Sequence, residues 1–286
     1  MAKSKVKAKR LGAALRQSRE SAGLSLRDAA EGVGWDFNRL HRIEKGQGPY
    51  NPEEISGLLG LYRVTGDRRD RILATVRSLD EPGWWELAGV TKTMGALADY
   101  ENDAQKITQW APMLIPGLLQ TMDYARAAIQ FDPNLDAASV EARLTVRVRR
   151  QQILKGDVEY RVFLGLTALK ATVGSREILA RQLAALLNIG QQDNITLRVV
   201  LPEADARGAL LGPFSVLEFD EWQPVVDVEN LRGTVFLDTE EHTGIYLGVL
   251  SQLNAVALGE TESMRLIERL KEEVEGSADE QRVAQV

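Results

Sequence analysis

The stretch LSLRDAAEGVGWDFNRLHRIEKG, residues 24–46, decides the fold of the first part of this chain. Ser25 is placed to cap a short helix, because its hydroxyl can accept a hydrogen bond from an otherwise unpaired backbone N–H. Asp36 has the same position ahead of a second helix, and Gly34 allows a sharp turn between the two. Gly46 can end the second helix in the left-handed conformation. The stretch therefore predicts two short helices joined by a tight turn, the helix-turn-helix plan.

Residues on both sides supply the helices on which such a pair packs. Residues 10–22 repeat apolar or small side chains on one helix face, and Pro52 opens another run of apolar residues at helical spacing. Residues 63–80 have the pattern of a last helix, rich in charges of both signs. We predict an all-α helix-turn-helix domain over residues 10–80.

The second helix of the pair has one apolar and one polar face. Leu40 and Ile43 are predicted to point to the core, and the other side chains then face outward. A short helix with such a polar face can lie in the DNA major groove. Asn38 suits a bidentate pair with adenine, Arg42 suits guanine, and Phe37 can make only apolar contact, for instance with a thymine methyl.

The remaining polar residues of this region are better suited to contact DNA phosphates than bases. Phosphate contacts increase affinity but do not select a sequence. A solvated helix face is the alternative interpretation of the same charges. The full predicted DNA-binding set is Ser25, Arg27, Phe37, Asn38, Arg39, His41, Arg42 and Lys45.

Positive charge is concentrated at the start of the chain. Over residues 1–50, about eleven Lys and Arg stand against about five acidic residues, whereas the whole chain has a formal net charge of -6 and a pI of about 5.2. DNA repels a net acidic protein unless its positive charge is gathered in one place. We expect residues 1–9 to form a basic flexible arm on DNA, or else a disordered solubilising tail, and we expect binding to weaken steeply with salt.

The composition sets further limits. The 286 residues are 44% hydrophobic and 27% charged, which is enough for two domains with a sizeable core in the second. The absence of cysteine excludes disulfides, thiolate catalysis and zinc fingers. No apolar run reaches membrane-spanning length, and the basic opening residues lack the apolar segment of a secretory signal. We expect a cytoplasmic protein with no membrane partner.

The pattern changes after residue 80. Residues 81–83 interrupt the helical spacing, and we place a linker at residues 81–95. At least one of the adjacent Trp84 and Trp85 is expected to dock this linker onto the second domain. Helical spacing then predicts helices over residues 96–107, 118–129 and 139–154. The third carries four arginines that we expect to point mostly outward, on a solvated or ion-paired face rather than a second nucleic-acid patch: Arg143, Arg147, Arg149 and Arg150.

Five short stretches have the β-branched and aromatic content of strands: residues 160–166, 195–201, 214–219, 225–229 and 234–237. A helix over residues 176–188 separates the first two strands. Two more helices, 243–258 and 262–274, precede a polar tail at 276–286. This order predicts an α+β domain over residues 96–275, with a mixed sheet flanked by helices.

Residues suited to catalysis or metal binding are sparse. The cluster of Glu240, Glu241 and His242 lacks a second ligand at metal spacing and fits a polar helix N-terminus better. Residues 208–212 have neither the lysine nor the spacing of a phosphate-binding loop. Acidic pairs such as Asp227 and Glu229 alternate on strands, where solvated sheet faces explain them. We therefore predict no catalytic residue, no metal and no cofactor, and expect that the protein is not an enzyme.

The first region resembles the Cro and phage-repressor (XRE) type of helix-turn-helix. The framework that carries the resemblance is Leu15, Arg19, Gly23, Leu24, Ser25, Ala30, Gly34, Leu40, Arg42, Ile43, Glu44 and Gly46. The resemblance implies a structural ion pair between Arg19 and Glu44. Leu26 and Phe37 depart from the pattern, since they replace a phosphate-contacting amide and a polar base reader.

The second region resembles the large C-terminal domain of actinobacterial, antitoxin-like transcription regulators similar to WhiJ. The matching stretches include residues 84–86, 100–101, 116–121, 123–127, 194–196, 201–202, 212–214, 217–219 and 226–229. The resemblance implies a transcription regulator, often encoded beside a small partner protein.

These observations predict a sequence-specific, dimeric DNA-binding regulator whose partners are a double-stranded operator and a second copy of the chain. Its second domain would sense a partner protein or a ligand, and residues 202–213, with Leu210 and Leu211, form the candidate contact surface. Those leucines could instead close the core. The alternatives are an antitoxin-like interaction module whose DNA binding is secondary, and an enzyme fused to a DNA-binding domain.

Overall fold

Five helices make up the first part of the chain in the computed structural model, which describes residues 5–80, 90–220, 222–230 and 233–283. These helices form one compact unit, and the chain from residue 90 forms most of a second. A 3₁₀ turn at Ser78–Asp80 follows the last helix. The helices are α1 (Lys5–Ser21), α2 (Leu26–Gly32), α3 (Phe37–Glu44), α4 (Pro52–Leu61) and α5 (Gly66–Arg77).

The caps follow from local sequence. The Ser25 hydroxyl accepts from the Asp28 N–H, and the Asp36 carboxylate accepts from the N–H groups of Asn38 and Arg39. Gly34 and Gly46 have φ of 68° and 74°, the left-handed region that costs glycine little. The predicted helix-turn-helix is therefore present.

The core of this first unit is made of aliphatic side chains from every helix. Each fully buried leucine or isoleucine contributes about 1.5–3 kcal/mol relative to its exposed state. The most deeply buried are Leu11, Leu15, Leu40, Ile43, Ile55, Leu58 and Leu59.

The predicted flexible arm is wrong for residues 5–9, because α1 already begins at Lys5. Val6 and Ala8 are buried, with 1% and 4% of their surface exposed, so burial of apolar side chains extends the helix into the basic segment. Residues 1–4 lie outside the described residues, as do Trp84, Trp85 and most of the predicted linker.

The second unit combines six strands with seven helices among its described residues. The strands are β1 (Lys106–Ala111), β2 (Glu159–Gly165), β3 (Ile195–Val200), β4 (Phe214–Glu218), β5 (Val225–Asn230) and β6 (Gly233–Leu237). The helices are α6 (Lys92–Asp103), α7 (Met122–Ile129), α8 (Ala137–Arg150), α9 (Leu166–Lys170), α10 (Arg176–Ile189), α11 (Glu240–Val256) and α12 (Glu260–Val283).

The strands form a single mixed sheet in the order β3-β2-β1-β4-β5-β6. β1 pairs in parallel with β2, and β2 with β3, whereas β4, β5 and β6 pair antiparallel. The register places Gln109 opposite both Val162 and Ser215, and Ser215 opposite Asp227, so these side chains share one face. The predicted α+β fold with a mixed sheet flanked by helices is confirmed.

Helices cover the two faces of the sheet differently. On one face, α11 contributes Leu250 and Leu253 to a core with Trp110, Phe214 and Val216. On the other face lies α6, whose Tyr100 ring is 4.9 Å from that of Phe236. The second face carries the polar side chains described below.

Several predicted elements differ from the observed ones. The predicted helix 96–107 is α6 at Lys92–Asp103, and the chain then enters β1, which the pattern did not reveal. β1 is short and lies between β2 and β4, so its pairing partners on both sides define it. The backbone of α12 is helical to Val283, through most of the predicted polar tail.

Candidate nucleic-acid interface

Helix α3 is held by its apolar side and presents its polar side to solvent. Leu40 and Ile43 are fully buried against the other helices of the unit. The Asp36 cap fixes where the helix begins, with hydrogen bonds of 3.0 and 3.2 Å from the N–H groups of Asn38 and Arg39. The orientation of the helix therefore follows from one cap and two core residues.

The outward side of α3 brings five of the predicted DNA-binding residues onto one surface: Phe37, Asn38, His41, Arg42 and Lys45. Phe37 is 44% exposed, and its ring stacks on that of His41, with 6.1 Å between centroids and an angle of 8° between planes. The stacked pair gives the start of the helix a flat apolar edge beside the Asn38 amide. Such a surface can contact a thymine methyl and hydrogen-bond a neighbouring base.

Arg39 lies on the flank of this surface and is already engaged within the unit. Its Nη2 donates to Glu54 Oε2 at 2.6 Å, and its guanidinium carbon lies 4.3 Å from the Trp35 ring centroid. Both contacts hold the side chain beside α4. A phosphate contact by Arg39 would compete with Glu54.

Helix α2 contributes Ser25 and Arg27. The Ser25 hydroxyl is part of a capping box, in which it donates to Asp28 Oδ2 at 2.6 Å and accepts from the Asp28 N–H at 3.2 Å. Arg27 is exposed on the first turn of α2. Ser25 thus has a defined structural role before any DNA contact.

A bidentate ion pair fastens the end of α3 to α1. The Arg19 Nε and Nη2 atoms donate to the two carboxylate oxygens of Glu44 at 2.8 and 3.0 Å, and Nη1 donates to the Leu24 carbonyl at 2.9 Å. The Arg19 and Glu44 side chains are only 10% and 5% exposed. The hydrogen bond that Arg19 donates to Glu44 raises the pKa of Arg19.

Two features that also position α3 were missed at the sequence level. A Cβ on Gly12 would lie 2.5 Å from the Glu44 carbonyl oxygen, so a larger residue would separate α1 from the end of α3. The Tyr50 hydroxyl donates to the Ile43 carbonyl at 2.9 Å, and burial raises the Tyr50 pKa to about 12. The glycine within the apolar repeat of residues 10–22 was the available signal.

The second unit contains a buried charge cluster, which we define as Glu101, Arg147, Arg150 and Asp227. Arg150 donates from Nε and Nη2 to the two oxygens of Glu101, each at 2.6 Å, and these side chains are 11% and 6% exposed. The expectation that the arginines of this helix point mostly outward is wrong for Arg147 and Arg150. They lie on the side of α8 that faces inward, where Glu101 of α6 neutralises Arg150.

Arg147 forms no ion pair with a carboxylate among the described residues. It donates from Nη1 to the Gln120 side chain, and its buried Nε has no hydrogen-bond partner in the described residues. Burial, with the nearby charge of Arg150, lowers its pKa to about 10. A Cβ on Gly117 would lie 3.3 Å from this Nε, which explains glycine at the start of the Gly117–Leu119 turn.

Asp227 was expected on a solvated sheet face, and that expectation is wrong, since only 4% of the residue is exposed. Its Oδ1 has no hydrogen-bond partner in the part of the chain that the structure describes. Burial first, and then the charge of Glu229, raise its pKa to about 8. Asp227 is therefore largely protonated at neutral pH.

The loop at residues 202–213 contains a short 3₁₀ turn, Arg207–Leu211. The Trp110 Nε1 donates to the Ala209 carbonyl at 2.8 Å, which ties the turn to the sheet. Leu210 is 85% exposed, and the side chain of Leu211 lies outside the described set. Leu210 therefore does not close the core, and its role in a contact surface stays a prediction.

Comparison with known proteins gives matches to two family models. A helix-turn-helix domain model matches residues 10–72. A model of a domain of unknown function, DUF5753, matches residues 94–269, which is more than half of the chain. No curated protein and no solved structure matches significantly. Among the residues that the structure describes, no helix has the length and apolar content needed to cross a membrane.

Proposed function

The chain belongs to the DUF5753 family, and because a helix-turn-helix domain precedes the DUF5753 domain, we propose that the protein regulates transcription by binding specific DNA sequences. The observation that carries the proposal is the outward face of α3. A capped helix, anchored by Leu40 and Ile43, presents an amide, a guanidinium and a stacked aromatic pair to solvent. These groups can read base edges in a major groove.

In this proposal Asn38 pairs with adenine, Arg42 pairs with guanine and Phe37 contacts a thymine methyl. Phosphate contacts come from the polar and charged side chains around them and set the register and affinity of binding. That set comprises Arg27, Arg39, His41 and Lys45, with Ser25 at the start of α2.

The protein acts as a dimer in the cytoplasm, because a single unit of this size offers few base contacts and two copies double them over two half-sites. We place it with the XRE-type regulators similar to WhiJ. The DUF5753 domain acts as a sensor rather than an enzyme and needs no cofactor. An antitoxin-like contact with a small partner protein is the second possibility, and the 85% exposure of Leu210 supports it.

The test is binding of the purified chain to fragments of its own upstream region, with competitor DNA, at two salt concentrations. The Asn38→Ala, Arg42→Ala double variant removes two base contacts worth about 1–3 kcal/mol each, so we expect affinity to fall at least about 30-fold. Each phosphate contact adds roughly 0.9 to the slope of log affinity against log salt. The variant should lose specificity and keep most of the phosphate-dependent slope.

Arg16→Ala is a matched control, because Arg16 is an exposed arginine of the same unit whose ion pair is with Glu20, in α1 itself. We expect its affinity to stay within about threefold of the wild type. Equal binding by the wild type and the double variant would refute base readout by α3.

A further inference from the structure

One cationic residue on the flank of the DNA-binding surface, Arg39, is already paired with an anion of the same unit. Its Nη2 atom donates to Glu54 Oε2 at 2.6 Å. Arg39 belongs to the first turn of α3 and Glu54 to the first turn of α4, so the pair joins the starts of two helices. The other cations of the predicted DNA-binding set, Arg27, Arg42 and Lys45, form no ion pair with any residue that the structure describes. Arg39 therefore differs from them in carrying its own counter-ion.

Trp35 holds the Arg39 guanidinium where a second anion can reach it. The guanidinium carbon lies over the Trp35 ring, 4.3 Å from its centroid, and Trp35 itself packs against the core of the unit. The ring leaves the N–H groups at the edge of the guanidinium available for hydrogen bonds. Glu54 accepts from Nη2, and the Arg39 side chain is still 31% exposed. A DNA phosphate can therefore bond to the guanidinium that Glu54 now contacts.

Holding the fold together does not account for this ion pair. The side chains of Arg39 and Glu54 are 31% and 38% exposed, whereas those of the bidentate pair between Arg19 and Glu44 are 10% and 5% exposed. Exposed ion pairs contribute little to stability. Helix α3 is also fixed already by its cap and by its buried side chains. The pair between Arg39 and Glu54 therefore has room for a role in binding.

Glu54 and a DNA phosphate would compete for the same positive charge. A phosphate that bonds to Arg39 comes close to the Glu54 carboxylate, because both lie against one guanidinium. Charges this close lie well within the Debye length of about 8 Å at physiological salt, so dissolved ions do not remove their repulsion. Binding of the phosphate therefore requires Arg39 to leave Glu54 and opposes the approach of DNA.

We propose that Glu54 is an internal counter-charge that lowers the affinity of this protein for DNA, and that Arg39 exchanges Glu54 for a backbone phosphate when α3 enters the groove. The inference rests on the proposed function. Because phosphates carry no sequence information, Glu54 weakens binding to every duplex and leaves sequence choice to Asn38 and Arg42. A unit with concentrated positive charge then dissociates more readily from DNA that lacks its operator.

The test is the affinity of the full chain for a labelled random-sequence duplex, measured by fluorescence anisotropy at low salt. Glu54→Gln keeps the shape of the side chain and removes its charge. An exposed ion pair corresponds to roughly a two- to fivefold change in an equilibrium constant, so we expect the affinity to rise by about that factor. Glu53→Gln is the matched control, because Glu53 is an exposed glutamate of the same helical turn without an ion pair in the described part of the chain. It removes the same net charge and should raise the affinity by a smaller factor.

Arg39→Gln connects the effect to the guanidinium. Alone, it should lower the slope of log affinity against log salt by about 0.9, because one phosphate contact is lost. In the Arg39→Gln background, Glu54→Gln should change the affinity no more than Glu53→Gln does, since the two substitutions then no longer share a partner. An equal gain with and without Arg39 would show that Glu54 repels DNA directly, and the exchange would be wrong.

A purely structural pair predicts a different result. If Glu54 served to hold Arg39 or α4 in place, Glu54→Gln would leave the affinity for DNA unchanged or lower it, and either result overturns the inference. Thermal unfolding of each variant checks that the fold is kept. A wild type that binds no duplex refutes the proposed function itself. Specific binding by the wild type, with no gain in Glu54→Gln over Glu53→Gln, refutes only the counter-charge.

Discussion

Replacing Asp227 with asparagine tests the buried charge cluster of the second unit, because asparagine has nearly the shape of a protonated aspartate and cannot ionise. The pKa of Asp227 is about 8 in the folded protein, against an ordinary value of 3.8. The folded state therefore holds a proton that the unfolded state releases between these two values. Stability contributed by this group is present at low pH and is lost as pH rises toward 8.

The magnitude follows from the linkage between proton binding and stability. Each pH unit between the two pKa values changes the free energy of unfolding by about 1.4 kcal/mol. From about pH 5 to about pH 8, the wild type should lose on the order of 4 kcal/mol relative to Asp227→Asn. The other groups of the cluster, Glu101, Arg147 and Arg150, and the neighbouring Glu229 are present in both proteins. Their own titration cancels in the difference between wild type and variant.

The assay is urea denaturation of both proteins at several pH values, with the exposed Asp193→Asn as a control. We expect the difference between wild type and Asp227→Asn to grow with pH, and the Asp193→Asn protein to follow the wild type throughout. A constant difference from about pH 5 to about pH 8 would show that Asp227 is ionised in its buried position. The assignment of a neutral aspartic acid at this site would then be wrong.

Two further predictions concern how α3 is held in the first unit. Glu44→Gln removes the carboxylate to which Arg19 donates at 2.8 and 3.0 Å, so the free energy of unfolding should fall by about 3 kcal/mol, as measured by thermal unfolding. The control Glu20→Gln, at an exposed ion pair, should change it little. Gly12→Ala places a Cβ 2.5 Å from the Glu44 carbonyl oxygen and should lower the free energy of unfolding by about 1–3 kcal/mol. The control Gly57→Ala, at an open helical site, should raise it slightly. Equal effects of the two glycine changes would refute the close approach of α1 and α3.

The sequence by itself determined the elements whose formation depends on neighbouring residues. Ser25 and Asp36 cap the helices that follow them, and Gly34 and Gly46 adopt positive φ, because caps and turns need only residues a few positions away. The same holds for the strands after residue 159, whose β-branched runs are bounded by turn residues. These local signals were enough to predict both the helix-turn-helix and the α+β class.

Only the tertiary structure decided which residues are buried together when they come from distant elements. β1 is a strand because β2 and β4 pair with it, and its short stretch carries too little pattern to show that alone. Arg150 points inward because Glu101, 49 residues away, neutralises it, and Asp227 is buried by helices on its face of the sheet. Burial of a charge depends on partners that folding brings together, and no local pattern contains them.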